Sequence, residues 1–107
     1  MKTIERSELI VRLTDKTPPI LLEALPELYF AQGHLPGAKQ FPHEEVEAVA
    51  PKLLTDKSAS IVLYCASETC QNSHQAARLL ERMGYEDVRV YGGGKKDWEA
   101  AGLPLER

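Results

Sequence analysis

Both cysteines of this chain lie in one short polar stretch, and their placement predicts thiol chemistry. Cys65 directly follows an apolar, β-prone run at residues 61–64, and Cys70 lies five residues further on. A helix is predicted after them, because apolar residues recur at helical spacing: Ala76, Leu79, Leu80 and Met83. The loop therefore joins the carboxyl end of a strand to the amino end of a helix, where unpaired N–H groups favour an anion. We expect this position to lower a cysteine pKa from about 8.5 and to produce a nucleophilic thiolate.

Cys70 competes with Cys65 for the role of nucleophile. It precedes the predicted helix cap, Asn72 or Ser73, by two or three residues and so lies closer to the positive end of the helix. A second thiol five residues on could instead resolve a persulfide or sulfenic acid on Cys65 into a disulfide. The third reading is that Cys70 only packs.

Two other patterns suggest ligands but carry little weight. Cys65, Cys70 and His74 show C-x4-C-x3-H spacing, yet a fourth ligand is missing nearby and zinc sites have tighter paired spacing. The run Gly92-Gly93-Gly94 precedes a predicted helix without the spacing of a phosphate-binding motif. We therefore expect no metal site, and a glycine turn that shapes the wall of a pocket.

Composition and length limit the classes of protein. A chain of 107 residues is long enough for one core, so residues 1–107 are predicted to form a single domain. The net charge of −3 gives no support for binding nucleic acid or an anionic membrane. The first six residues lack the apolar centre of a signal peptide, and a cytoplasmic location is expected. Two cysteines are too few for a disulfide scaffold.

Strands and helices are predicted to alternate along the chain. Strands are expected at residues 20–25, 61–64 and 87–91, with extended segments at the start and at 39–42. Helices are expected at 6–13 with Ser7 as a cap, from 26 to 31, at 44–54 with Pro51 kinking or dividing it, and at 95–101 with Trp98 buried. This alternation indicates an α/β fold with a mostly parallel sheet, helices on both faces and a site at the carboxyl ends of the strands.

Three separated segments, in order, resemble the single-domain rhodanese-like sulfurtransferases. Residues 23–38 resemble an acidic strand end followed by the family's GHIPGA-type signature, here GHLPGA. Residues 62–65 resemble the strand that delivers the active-site cysteine. Residues 84–85, 91–94 and 97–104 match the closing GY, GG and DWxxAGLP-like pattern. The resemblance covers essentially the whole chain and implies a three-layer fold with about five strands.

The resemblance also implies a reaction. A loop thiolate attacks the outer sulfur of a donor such as thiosulfate, and the resulting persulfide passes its sulfur to a thiol or cyanide, without a cofactor. Family position favours Cys65 over Cys70 as the nucleophile, with Glu23 accepting hydrogen bonds beneath the loop and His34 as a structural hydrogen bonder. Backbone N–H groups of the loop would bind the anion. The loop residues are Ala66, Ser67, Glu68, Thr69, Gln71, Asn72 and Ser73. The implied partners are a small-molecule or protein sulfur donor and a thiol acceptor.

The loop also departs from the family pattern. Family loops commonly read Cys-Arg-x-Gly-x-Arg, whereas this loop has no arginine and contains Glu68, so a persulfide donor is expected rather than thiosulfate. Leu25 stands where the family commonly has arginine, and Lys95 or Lys96 could compensate if the fold brings them near. The same departures support an alternative, a non-catalytic or redox-regulatory module with a Cys65/Cys70 thiol pair. A phosphatase or arsenate reductase is set aside, because the first arginine after Cys65 is Arg78, well inside a helix.

Overall fold

A parallel five-stranded sheet forms the centre of the computed structural model, which describes residues 2–107. The strands are β1 (Lys2–Thr3), β2 (Ile20–Glu23), β3 (Lys39–Gln40), β4 (Ser60–Tyr64) and β5 (Asp87–Tyr91). Their order across the sheet is β1-β5-β4-β2-β3, and every pairing is parallel. The sheet therefore has all its carboxyl ends at one edge, with β4 in the middle.

Four helices and one short 3₁₀ helix connect the strands within residues 2–107, and a fifth helix follows β5. The helices are α1 (Arg6–Leu13), α2 (Glu27–Gln32), α3 (Val46–Leu53), α4 (Asn72–Arg82) and α5 (Gly94–Ala100), and the 3₁₀ helix His43–Glu45 leads into α3. Each crossover between neighbouring parallel strands carries a helix or an extended loop, as parallel pairing requires.

The core consists of two layers of side chains, one on each face of the sheet. Leu22, Leu63 and Val90 point to the face covered by α3 and α4, where Val46, Leu80 and Tyr85 are buried with them. Successive strand residues point the other way, because side chains alternate along a strand. Leu21, Val62, Tyr64 and Tyr91 face the layer that contains Leu9 of α1 and Trp98 of α5. The predicted three-layer α/β fold is confirmed.

Several predicted boundaries need correction. The strand predicted at 20–25 ends at Glu23, because Leu25 precedes Pro26, which has no N–H to continue the ladder. The helix predicted at 44–54 begins as the 3₁₀ helix and becomes α3 at Val46, and Pro51 lies inside α3 without dividing it. The predicted side-chain caps are also wrong. The N-caps of α1 and α4 are Glu5 and Gln71, and neither makes a side-chain capping hydrogen bond.

Candidate active site

Cys65 directly follows β4 and is buried beneath its own loop. Its side chain is 1% exposed. The Sγ–H donates to the carbonyl of Cys70 at 3.4 Å, and Sγ lies 3.3 Å from Oγ of Ser73. The loop thus curls back over the sulfur and closes it off from solvent.

The environment of Cys65 holds the thiol in its protonated form. Burial raises the pKa of Cys65, and a side-chain hydrogen bond with Cys70 raises it further, whereas the hydroxyl and backbone N–H of Ser73 act in the opposite direction. Ser73 lies in the first turn of α4, so the helix terminus does favour the thiolate, as predicted, but desolvation outweighs it. The predicted lowering of the Cys65 pKa is therefore wrong for the closed loop.

Of the remaining loop residues, Cys70 and Ser73 contact the sulfur, and most of the others are exposed. Cys70 is half-buried, and its N–H donates to the carbonyl of Ser67 at 3.1 Å, which closes a turn. The hydroxyls of Ser67 and Thr69 lie 3.1 Å apart and contact each other. Exposed positions of the loop are Ala66, Glu68, Thr69 and Gln71, and Asn72 is half-buried. Of the predicted anion-binding residues, only Ser73 contacts Cys65 in this closed arrangement of residues 65–73.

The start of α5 holds the loop from behind. The backbone N–H groups of Lys95 and Lys96 donate to the carbonyls of Cys65 and Ala66 at 3.0 and 2.9 Å. Gly94 allows this approach, because a Cβ there would lie 2.3 Å from the carbonyl oxygen of Cys65 and its φ is +64°. The glycine run therefore positions the Cys65 loop, which agrees with the predicted turn.

A buried ion pair lies at the carboxyl ends of β2 and β4. Glu23 is fully buried, and its Oε1 accepts from the Tyr64 hydroxyl at 2.8 Å and pairs with Nζ of Lys95 at 2.9 Å. The Lys95 ammonium also donates to the carbonyl of Tyr29 at 2.8 Å, so it is engaged away from the loop. Among the described residues, Oε2 of Glu23 has no hydrogen-bond partner.

His34 holds the GHLPGA turn in place. Its ring stacks on Phe30 at 4.0 Å between centroids, and Nδ1 lies 2.9 Å from the carbonyl of Leu35. The N–H of Leu35 donates to the Tyr64 hydroxyl at 3.0 Å, which ties this turn to the residue before Cys65. Sequence reasoning missed the role of Tyr64, and it offered Lys95 as a substitute for the absent arginine rather than as the ion-pair partner of Glu23. The only signal for Tyr64 was a hydroxyl at the end of an aliphatic strand.

Two adjoining cavities open beside the loop and share Glu68, Gly93 and Asp97. One of about 260 Å³ also reaches Ser67 and Lys96, and one of about 460 Å³ extends to Arg6 and Tyr91. The Arg6 guanidinium pairs with Asp97 at 2.8 Å, and the Tyr91 hydroxyl also donates to this carboxylate. These two hydrogen bonds lower the pKa of Asp97, that from Tyr91 more, so it remains a carboxylate. The charged residues that line these cavities are the carboxylates Glu5, Glu68 and Asp97 and the cations Arg6 and Lys96.

Within residues 2–107, no three His, Cys, Asp or Glu side chains are grouped so as to hold a metal ion. No helix in that part of the chain has the length and apolar character needed to cross a membrane.

Comparison with known proteins identifies relatives of two kinds. Thiosulfate sulfurtransferase PspE of Escherichia coli is 35% identical over 71 residues, which are 66% of this chain and 65% of that protein. The HTH-type transcriptional regulator Rv0324 of Mycobacterium tuberculosis is 31% identical over 103 residues, 96% of this chain and 44% of that protein. The chain thus spans less than two thirds of either relative.

A solved structure shows the same fold. The solution structure of the rhodanese-like domain from the Alr3790 protein of Anabaena sp. is 30% identical, with a TM-score of 0.84 over 99% of this chain and 79% of that one. The family model of the rhodanese-like domain matches residues 5–101. This chain therefore belongs to the rhodanese-like domain family.

Proposed function

We propose that this protein is a sulfurtransferase that carries a sulfane sulfur as a persulfide on Cys65. The observation that carries this proposal is the position of Cys65, at the carboxyl end of the central strand with the first turn of α4 against its sulfur. The relative PspE, named as a thiosulfate sulfurtransferase, supports the same class of reaction. The proposed donor is thiosulfate or a persulfide, and the acceptor is a thiol or cyanide.

The reaction requires the loop to open, because a donor cannot reach a sulfur that is 1% exposed. The contact that closes the loop over Cys65 is an S–H···O hydrogen bond to Cys70, a weak interaction whose loss costs little. Opening rehydrates the thiol and removes the main cause of its raised pKa, while Ser73 continues to favour the thiolate.

Sulfur transfer then takes place in two displacements. The Cys65 thiolate attacks the outer sulfur of the donor, the donor's S–S bond breaks, and the donor leaves as sulfite or as a thiolate. An acceptor thiolate or cyanide next attacks the outer sulfur of the persulfide and releases Cys65 as a thiolate. N–H groups at the start of α4 would stabilise the charge, since Gln71 gives them no side-chain cap.

The charges that line the cavities beside the loop favour a persulfide donor over thiosulfate. Thiosulfate is a dianion, and it would approach Glu68, which lines both cavities; together the cavities carry three carboxylates, Glu5, Glu68 and Asp97, against two cations, Arg6 and Lys96. The guanidinium of Arg6 lies nearby, but Asp97 already occupies it. A donor with a smaller negative charge experiences less repulsion.

A second candidate function is a non-catalytic or redox-regulatory module that reports oxidation through Cys65 and Cys70. The specific observation in its favour is the closed loop, in which Cys65 is buried and hydrogen-bonded to Cys70. The relative Rv0324, which is named as a transcriptional regulator, favours the same alternative.

Mass spectrometry after exposure to a donor tests the proposed function. The reduced Cys70→Ser variant, incubated with glutathione persulfide, is expected to gain one sulfur atom on Cys65, and Cys65→Ser is expected to gain none there. Cys70→Ser is also expected to form thiocyanate once cyanide is added with thiosulfate or persulfide. If wild type and Cys65→Ser are equally inactive with every donor, the enzyme assignment fails and the module remains.

A further inference from the structure

We propose that Cys70 is the resolving thiol of this site, so that the protein releases the transferred sulfur as sulfide and forms a Cys65–Cys70 disulfide. This inference rests on the proposed persulfide at Cys65 and extends it. It gives the protein a second activity, the reduction of sulfane sulfur at the expense of external thiols.

The loop places Cys70 against the sulfur of Cys65. A turn closed by the N–H of Cys70 and the carbonyl of Ser67 brings residue 70 back over residue 65. The Cys65 sulfur then lies 3.4 Å from the Cys70 carbonyl oxygen, so the backbone of residue 70 contacts the sulfur that its own thiol would attack. This contact holds the Cys70 thiol at a high effective concentration beside Cys65, which accelerates the attack.

Because a persulfide on Cys65 is buried, Cys70 is the acceptor with the easiest access to it. Cys65 is 1% exposed, whereas Cys70 is half-buried, with its carbonyl against the Cys65 sulfur and part of the residue at the surface. The chain contains only these two cysteines, so no other internal thiol competes. When the loop closes after the donor leaves, an external acceptor can no longer reach the persulfide on Cys65, whereas Cys70 remains beside it.

The leaving group determines which sulfur of the persulfide is attacked. Attack on the outer sulfur expels the Cys65 thiolate, whose pKa is raised by burial, and attack on Sγ expels hydrosulfide. The less basic sulfur leaves faster in thiol–disulfide exchange. Hydrosulfide is a weaker base than a buried alkyl thiolate, so attack on Sγ is favoured.

The step balances without any added oxidant. The Cys70 thiolate forms a bond to Sγ of Cys65, the bond between Sγ and the outer sulfur breaks, and the outer sulfur leaves with the electron pair as hydrosulfide. The sulfane sulfur gains two electrons, and the two thiols are oxidised to one disulfide. Two molecules of a small external thiol, such as glutathione, then restore the dithiol and become one glutathione disulfide.

A single-turnover experiment without reductant tests the resolving role. The reduced wild-type protein is mixed with one equivalent of glutathione persulfide, and sulfide, intact mass and the disulfide map are measured together. We expect one equivalent of sulfide, the loss of two hydrogen atoms from the protein and a Cys65–Cys70 bond. Cys70→Ser is expected to retain the added sulfur on Cys65 and to release no sulfide in the same time, and near-ultraviolet circular dichroism confirms its fold.

The outcomes separate this inference from the proposed function. A wild-type protein that keeps a stable persulfide on Cys65, or moves it to Cys70, would overturn the resolving role and leave the sulfurtransferase assignment intact. A wild-type protein that never gains sulfur and never releases sulfide would overturn both. Because wild type alone distinguishes these results, the test does not depend on the stability of a variant.

Discussion

At the scale of single residues, two neighbours of Cys65 have opposite effects on its pKa. Burial has the largest effect and raises the pKa of Cys65. The interaction with Cys70 raises it further, and the hydroxyl and N–H of Ser73 lower it. The resting thiol is therefore protonated at neutral pH. Its reactivity then depends on how often the loop opens, which a sequence motif does not report.

The pH dependence of alkylation tests this balance. We expect Cys65 to react with iodoacetamide more slowly than glutathione does at neutral pH, with a rate that rises only as the pH exceeds about 8.5, the ordinary thiol value. The midpoint of the Cys65 titration should fall in Cys70→Ser, because the thiol whose side-chain and charge interactions raise the pKa of Cys65 is removed, and it should increase in Ser73→Ala. Peptide mapping follows each thiol separately. Midpoints that shift in the same direction in both variants would contradict the assignment.

The charge of Glu68 is expected to discriminate against dianionic donors. Glu68→Gln should increase kcat/KM for thiosulfate by about fivefold, since one exposed charge interaction is worth roughly 1 kcal/mol. The cationic donor cysteamine persulfide should lose rate in the same variant. Glu99→Gln, an exposed change of the same charge on α5, is the matched control and should alter neither donor. If the two variants change thiosulfate kinetics equally, net charge rather than position is responsible.

At the scale of elements, the strands that depend on local sequence patterns were predicted from the sequence. The alternation of polar and apolar residues at 87–91 predicted β5 with its observed bounds, and the apolar run before Cys65 predicted β4. The contact between α5 and the Cys65 loop was not predictable, because it joins backbone groups thirty residues apart and no side-chain pattern encodes it. The closed state of Cys65 escaped prediction for a similar reason, since burial is a property of the packed loop.

Gly94 is predicted to be essential for the geometry of the loop. Gly94→Ala would place Cβ 2.3 Å from the Cys65 carbonyl at a φ of +64°, so α5 must move away from the loop. We expect a destabilisation of about 1–3 kcal/mol and a loss of persulfide formation. The matched control is Gly92→Ala, where a Cβ meets nothing within 4 Å. Urea unfolding and the mass assay measure both effects, and equal behaviour of the two variants would refute this role.

At the scale of the whole molecule, one buried network connects four elements around the site. Glu23 ends β2, Tyr64 ends β4, Lys95 belongs to α5, and the carbonyl of Tyr29 belongs to α2. Tyr64 also accepts a hydrogen bond from Leu35 in the GHLPGA turn. The carboxyl edge of the sheet is thereby fixed by polar contacts, although the two core layers are apolar. Removing one charge should therefore affect the stability of the whole fold.

Lys95→Met tests that network through its effect on stability. The change leaves Glu23 as a fully buried carboxylate without its cation, which costs about 3–5 kcal/mol. The double variant Glu23→Gln/Lys95→Met removes both charges and should recover most of this loss, because a neutral amide can still accept from Tyr64. Urea midpoints provide the measurement.

Persulfide formation by folded Lys95→Met should persist, since Lys95 holds the Cys65 carbonyl through its backbone N–H. Equal instability of single and double variants would show that packing of the Lys95 stem, rather than charge pairing, stabilises this edge.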